Sequence, residues 1–160
     1  LFKNRLEPLN KKRSNYWMRL ALVEDDSDVL WSAYRHLLPR VFNTVTNIDR
    51  RRVFFGGFSN GGHATAILLN RSGLELTNYA DKFYFIEGGN GWTNAAALRG
   101  QGCAIVLQGG QQNRDWLMPM FTRAHLAGIH IEFVRMSDVG HGLGREGRHA
   151  LRDWLYRHTE

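Results

Sequence analysis

Residues 52–70, RVFFGGFSNGGHATAILLN, leave few folds open to the chain. Val53, Phe54 and Phe55 form a short apolar, β-favouring run ended by two glycines, the pattern of a buried strand entering a tight turn. Ser59 lies on that turn. Beyond it Gly61 and Gly62 keep side chains out of a crowded backbone, and Ala64, Ile67 and Leu68 repeat at helical spacing. The order is strand, sharp turn, helix. Gly57-Phe58-Ser59-Asn60-Gly61 fits G-x-S-x-G, in which a strained turn lifts the serine hydroxyl above the sheet and the next N–H, here that of Asn60, faces a developing oxyanion. Without its flanks the segment is only a glycine-rich turn with an exposed serine; the strand before it and the helix after it favour the elbow.

The remaining segments extend this pattern. Residues 1–16 are polar, basic and aperiodic, as in an irregular surface segment, and residues 17–23 suit a strand or a buried helical turn equally. Ser27 is expected to cap a helix reaching about Val41, with Val29, Ala33 and Leu37 marking its buried face and Leu30 and Tyr34 beside them. Asn47-Ile48-Asp49 reads as a turn. Arg71–Lys82 is expected to be a loop region, followed by a strand over Phe83–Ile86 that ends at Glu87-Gly88-Gly89. A third strand spans Ala104–Leu107, and Ile129, Ile131 and Phe133 alternate in a fourth. Between these two, Trp116–Leu126 is expected to be helical, with Pro119 near its first turn and Gly128 as its stop. Ala150, Leu151, Trp154 and Leu155 share a face of a last helix. Strands alternating with helices imply one α/β domain over residues 1–160, a mostly parallel sheet with helices on both faces and its site beyond the carboxyl ends of the strands.

Composition narrows the function classes. With 43% hydrophobic residues among 160 a single packed core is within reach, and no apolar run is long enough to cross a bilayer. The amino end has no signal-peptide core. The formal charge of +6 comes partly from Lys11-Lys12-Arg13, Arg50-Arg51-Arg52 and Arg145, Arg148 and Arg152. These clusters are separated and not interleaved with stacking aromatics, so no nucleic-acid partner is expected and a solvated surface is. The single cysteine, Cys103, begins an apolar run and reads as a small core residue.

A serine needs a base within hydrogen-bond reach and a carboxylate to hold that base in the right tautomer. His141, in the glycine-flanked loop Asp138-Val139-Gly140-His141-Gly142 after the last strand, is the expected base. For the acid there are two candidates, Asp115 after the third strand, which is preferred, and Glu87 after the second; Asp115 also suits a helix cap. Serine, acid, histidine is the hydrolase order along a chain. The other histidines are expected to be structural or superficial, with His63 in the elbow helix and His36, His125, His149 and His158 on helix surfaces. Gly142-Leu143-Gly144-Arg145-Glu146-Gly147 matches G-x-G-x-x-G but leads into the terminal helix instead of a βαβ unit. No Walker A or H-E-x-x-H sequence and no paired histidines at ligand spacing occur, so no cofactor or metal is indicated.

These residues resemble a family. Asn47-Ile48-Asp49 through Arg52-Val53, then Gly57-Phe58-Ser59-Asn60-Gly61-Gly62, is similar to the N-I-D-x-x-R-V…G-x-S-N-G-G signature of α/β-hydrolase esterases related to polyhydroxybutyrate depolymerases and feruloyl esterases. The acidic segment Glu24-Asp25-Asp26-Ser27-Asp28-Val29 resembles the one those proteins carry before the same helix. The resemblance implies Ser59 as nucleophile, Asp115 as acid, His141 as base, an ester substrate, and a secreted or periplasmic setting. Such enzymes carry further amino-terminal strands and a second oxyanion donor, often in an H-G segment. No H-G segment precedes Ser59, so those further strands are expected to be lacking, activity to be impaired and an exposed sheet edge to favour self-association. The reading from another class is a non-catalytic α/β domain that binds polyanions through its basic clusters.

Overall fold

The structure, a computed structural model, describes residues 27–89, 92, 94, 102–109, 111–137 and 139–159, and of residues 111–117 the backbone only. The readings for residues 1–16 and 17–23 and for Glu24-Asp25-Asp26 lie outside the described residues. Four strands, β1 (Phe54–Phe58), β2 (Lys82–Ile86), β3 (Cys103–Gln108) and β4 (His130–Arg135), form one sheet in the order β1-β2-β3-β4, with every pairing parallel. Helices α1 (Ser27–Thr44), α2 (Asn60–Leu76), α3 (Gln111–Leu126) and α4 (Arg145–Arg157) connect and cover them, and a 3₁₀ turn at Arg50–Arg52 precedes β1. The expected α/β architecture is present.

Parallel strands buried on both faces read as continuous apolar runs, and β3, CAIVLQ, is buried at every position. One core joins Phe83, Phe85, Ala104, Val106 and Ile131 of the sheet to Trp31 and Leu38 of α1, Leu68 and Leu69 of α2, and Met120 and Ala124 of α3. On the other face Ile86, Cys103, Ile105 and Leu107 pack on Trp154 of α4. Cys103 is the core residue expected from sequence; burial, with smaller contributions from neighbouring charges, pushes its thiol up to about 11, so it is protonated and inert near neutral pH.

Several local expectations are corrected. α1 turns a different face inward: Trp31 and Leu38 are buried with Leu30 and Tyr34 beside them, while Val29 and Leu37 are 45% and 51% exposed. The large rings decide it, since Tyr34 meets Phe55 of β1 edge-on at 5.5 Å. Gly56 and Gly57 do not end β1; they lie inside it. A Cβ at Gly56 would come within 2.1 Å of the Tyr84 carbonyl oxygen on β2, so close backbone approach is what requires glycine there. α2 continues to Leu76, through residues expected to be a loop, with a break in helical geometry at Ser72 (φ −154°, ψ 47°). α3 begins at Gln111, five residues before the expected start, which places Pro119 inside it.

Candidate functional site

Ser59 follows β1 directly and caps α2 with φ 54° and ψ −116°, a conformation that L-residues rarely adopt. Its N–H donates to the Ile86 carbonyl at 2.7 Å, extending the β1–β2 ladder by one step and fixing the turn to the end of β2. The glycines explain how so sharp a turn fits. A Cβ at Gly57 would lie 2.6 Å from the Gly61 carbonyl carbon, and one at Gly88 would lie 2.3 Å from the Ser59 carbonyl oxygen. Both obstacles are backbone. Gly88→Ala should therefore displace the elbow and destabilise the fold by about 1–3 kcal/mol, read as a lowered denaturation midpoint; an unchanged midpoint would show that the two turns are not packed this closely.

Glu87 is the only other described non-glycine residue with positive φ, also 54°. Its N–H donates to the Leu107 carbonyl at 2.9 Å, and its side chain is completely buried. The carboxylate is held on both oxygens: Gly109 N–H donates to Oε1 at 2.6 Å and Gln108 Nε2 donates to Oε2 at 2.5 Å. Two such bonds satisfy a buried charge that would otherwise be costly.

His141 joins the two. Its Nε2 is 3.1 Å from Ser59 Oγ and its Nδ1 is 3.5 Å from Glu87 Oε2, so the imidazole stands between hydroxyl and carboxylate. The second separation is longer than a good hydrogen bond, as catalytic contacts often are without substrate. Phe58 supports the ring from the side, with centroids 5.1 Å apart, and Gly109 lets the histidine loop approach: a Cβ there would meet the Val139 carbonyl oxygen at 2.6 Å. Residues 59, 87 and 141 thus meet beyond the carboxyl ends of β1, β2 and β4, where open parallel sheets form their sites.

The remaining candidates fall as follows. Asp115 is the fifth residue of α3, within the helix and not in the loop before it, and its side chain lies outside the described residues. Asn60 is the first residue of α2, where the backbone N–H has no partner from its own helix. His63 is buried and accepts from Gly89 N–H on Nδ1 at 3.2 Å, tying α2 to the turn after Glu87. Gly144 caps α4, so the literal G-x-G-x-x-G match is a helix entry. A cleft of roughly 390 Å³ lined by Arg51, Arg52, Lys82, Arg157, His158 and Thr159 lies at the amino ends of the strands, away from Ser59. Its cations have acidic partners: Arg51 and Arg52 pair with Asp49, Lys82 with Asp81, and Arg157 with Glu132.

No protein-family model matches the chain, and no curated protein matches it. Among solved structures, an esterase described in a structural analysis of two fungal esterases from Rhizomucor miehei is similar, with a TM-score of 0.59 at 12% sequence identity over 86% of this chain. The chain spans 58% of that esterase's length. At this identity the likeness is one of fold: the chain has an α/β, esterase-like architecture.

Proposed function

We propose that the chain is a serine hydrolase of carboxylic esters in which Ser59 is the nucleophile, His141 the base and Glu87, in place of Asp115, the orienting acid. The observation that carries this reading is the 3.1 Å contact between His141 Nε2 and Ser59 Oγ, made across 82 residues of sequence on a strained elbow. The buried Glu87 carboxylate, held by Gln108 and Gly109, is preorganised to fix the imidazole tautomer and to stabilise the imidazolium. His141 takes the Ser59 proton as the hydroxyl attacks the ester carbonyl and returns it to the departing alcohol. Water then repeats the sequence on the acyl-enzyme. Asn60 N–H, at the start of α2, supplies one donor to the tetrahedral oxyanion, favoured there by the helix dipole.

The esterase-like fold and the sequence resemblance to polyhydroxybutyrate depolymerases and feruloyl esterases both favour an ester substrate. The polyanion-binding alternative draws less support, because the cations of the basic cleft already have acidic partners. Labelling with a fluorophosphonate probe tests the proposal without a choice of substrate. Covalent modification should map to Ser59 by mass spectrometry and vanish in Ser59→Ala with the circular dichroism spectrum preserved. Modification of a different serine, or none in the folded chain, would remove the hydrolase reading.

A further inference from the structure

At the opposite end of the sheet from Ser59, three side chains with metal-binding chemistry converge. His130 and Glu132 alternate on one face of β4, and His158 follows the last turn of α4, which packs on that face. One donor atom from each lies within 4.8 Å of the other two. Glu132 Oε1 is 3.6 Å from His130 Nε2 and 4.0 Å from His158 Nε2. Donors bound tetrahedrally at about 2.0–2.2 Å stand roughly 3.4 Å apart, so the three need move only modestly to share one ion. The two imidazole rings are inclined at 60° with centroids 6.2 Å apart, so neither stacks over the other.

A second observation points the same way. Glu132 Oε1 and His158 Nε2 are both buried and make no hydrogen bond among the described residues, although they face each other. Polar atoms withdrawn from water without a hydrogen bond are costly, and native chains seldom keep two together. The other carboxylate oxygen is engaged: Arg157 Nη2 donates to Oε2 at 2.8 Å, which fixes the carboxylate with Oε1 turned to the imidazoles.

We propose that His130, Glu132 and His158 bind one zinc-class divalent cation that staples the end of α4 to the start of β4. Two imidazoles and one carboxylate suit Zn²⁺. They do not suit Ca²⁺ or Mg²⁺, which take oxygen ligands, and the neighbouring Arg157 and Lys82 make the site a poor trap for a cation held by charge alone. Zinc bonded to imidazole nitrogen tolerates that setting better. The site is independent of the Ser59 centre.

Calorimetric titration of the EDTA-stripped, dialysed chain with ZnCl₂ tests this. One equivalent should bind and raise Tm, while CaCl₂ and MgCl₂ give no heat of binding. His130→Ala, at a side chain 69% exposed, should leave the fold intact and weaken zinc binding by at least the ~10–100-fold that outer-shell losses cost. His158→Ala should do the same, whereas His36→Ala and Ser59→Ala should bind zinc as the parent does. No binding by the parent chain, or equal binding by the parent, His130→Ala and His158→Ala, would overturn the site; the second result would identify zinc on scattered surface histidines. Fluorophosphonate labelling of Ser59 should be the same with and without EDTA, so failure of either proposal leaves the other standing.

Discussion

Replacing Ser59 with alanine is expected to lower turnover of a short p-nitrophenyl ester by on the order of 10⁶-fold, His141→Ala by a similar factor, and the double variant by no more than either. The non-additivity is the informative part. Serine and imidazole act as one unit: without the 3.1 Å contact to His141 the hydroxyl is a weak nucleophile, and without the hydroxyl the base has nothing to activate. Initial rates for the three variants and the parent, each checked for fold by circular dichroism, supply the comparison. Losses that multiplied in the double variant would mean that the two residues act separately.

Glu87→Gln is expected to cost about 10⁴-fold in kcat with little change in KM, the size of effect seen when a triad acid becomes an amide. A neutral amide cannot stabilise the imidazolium, and it would also present an N–H to one of the donors, Gln108 Nε2 and Gly109 N–H, that now serve the carboxylate. That mismatch costs stability too, about 1–3 kcal/mol, so kinetics and a denaturation midpoint belong together. Asp115→Asn is expected to change kcat by less than about tenfold, within what a substitution outside the reacting unit allows. The reverse ranking would return the acid to α3.

How much of this could be read in the sequence depends on whether local chemistry or tertiary contact decides. The elbow was legible because glycines, a short apolar run and helical spacing are local signals, and the structure places strand, turn and helix there. The sequence sets His141 in the loop after the last strand, and from that loop its Nε2 comes to 3.1 Å from Ser59 Oγ. Which carboxylate lies near His141 is not legible locally, because Asp115 and Glu87 both follow a strand; only the tertiary contact brings Glu87 Oε2 to 3.5 Å from His141 Nδ1, while α3 starts early enough to take in Asp115. The buried face of α1 is ambiguous in the sequence for a related reason: Val29, Ala33 and Leu37 form a valid helical stripe, but Trp31, Tyr34 and Leu38 form another, and the larger rings win the contact with β1. His158 looked like a helix-surface residue, yet its side chain is only 23% exposed. The one clue to its neighbours was His130 and Glu132 two apart on a strand, which sets them on one face; nothing local joins them to a residue 26 positions beyond Glu132.

The two described non-glycine residues that hold φ near 54° are the proposed nucleophile and the proposed acid. Each such residue costs roughly 1–3 kcal/mol that a glycine would largely recover. Selection for stability alone therefore pulls position 59 toward glycine, and Ser59→Gly should raise the melting temperature while extinguishing the chemistry. A lineage of this fold released from catalytic duty would be expected to drift that way first.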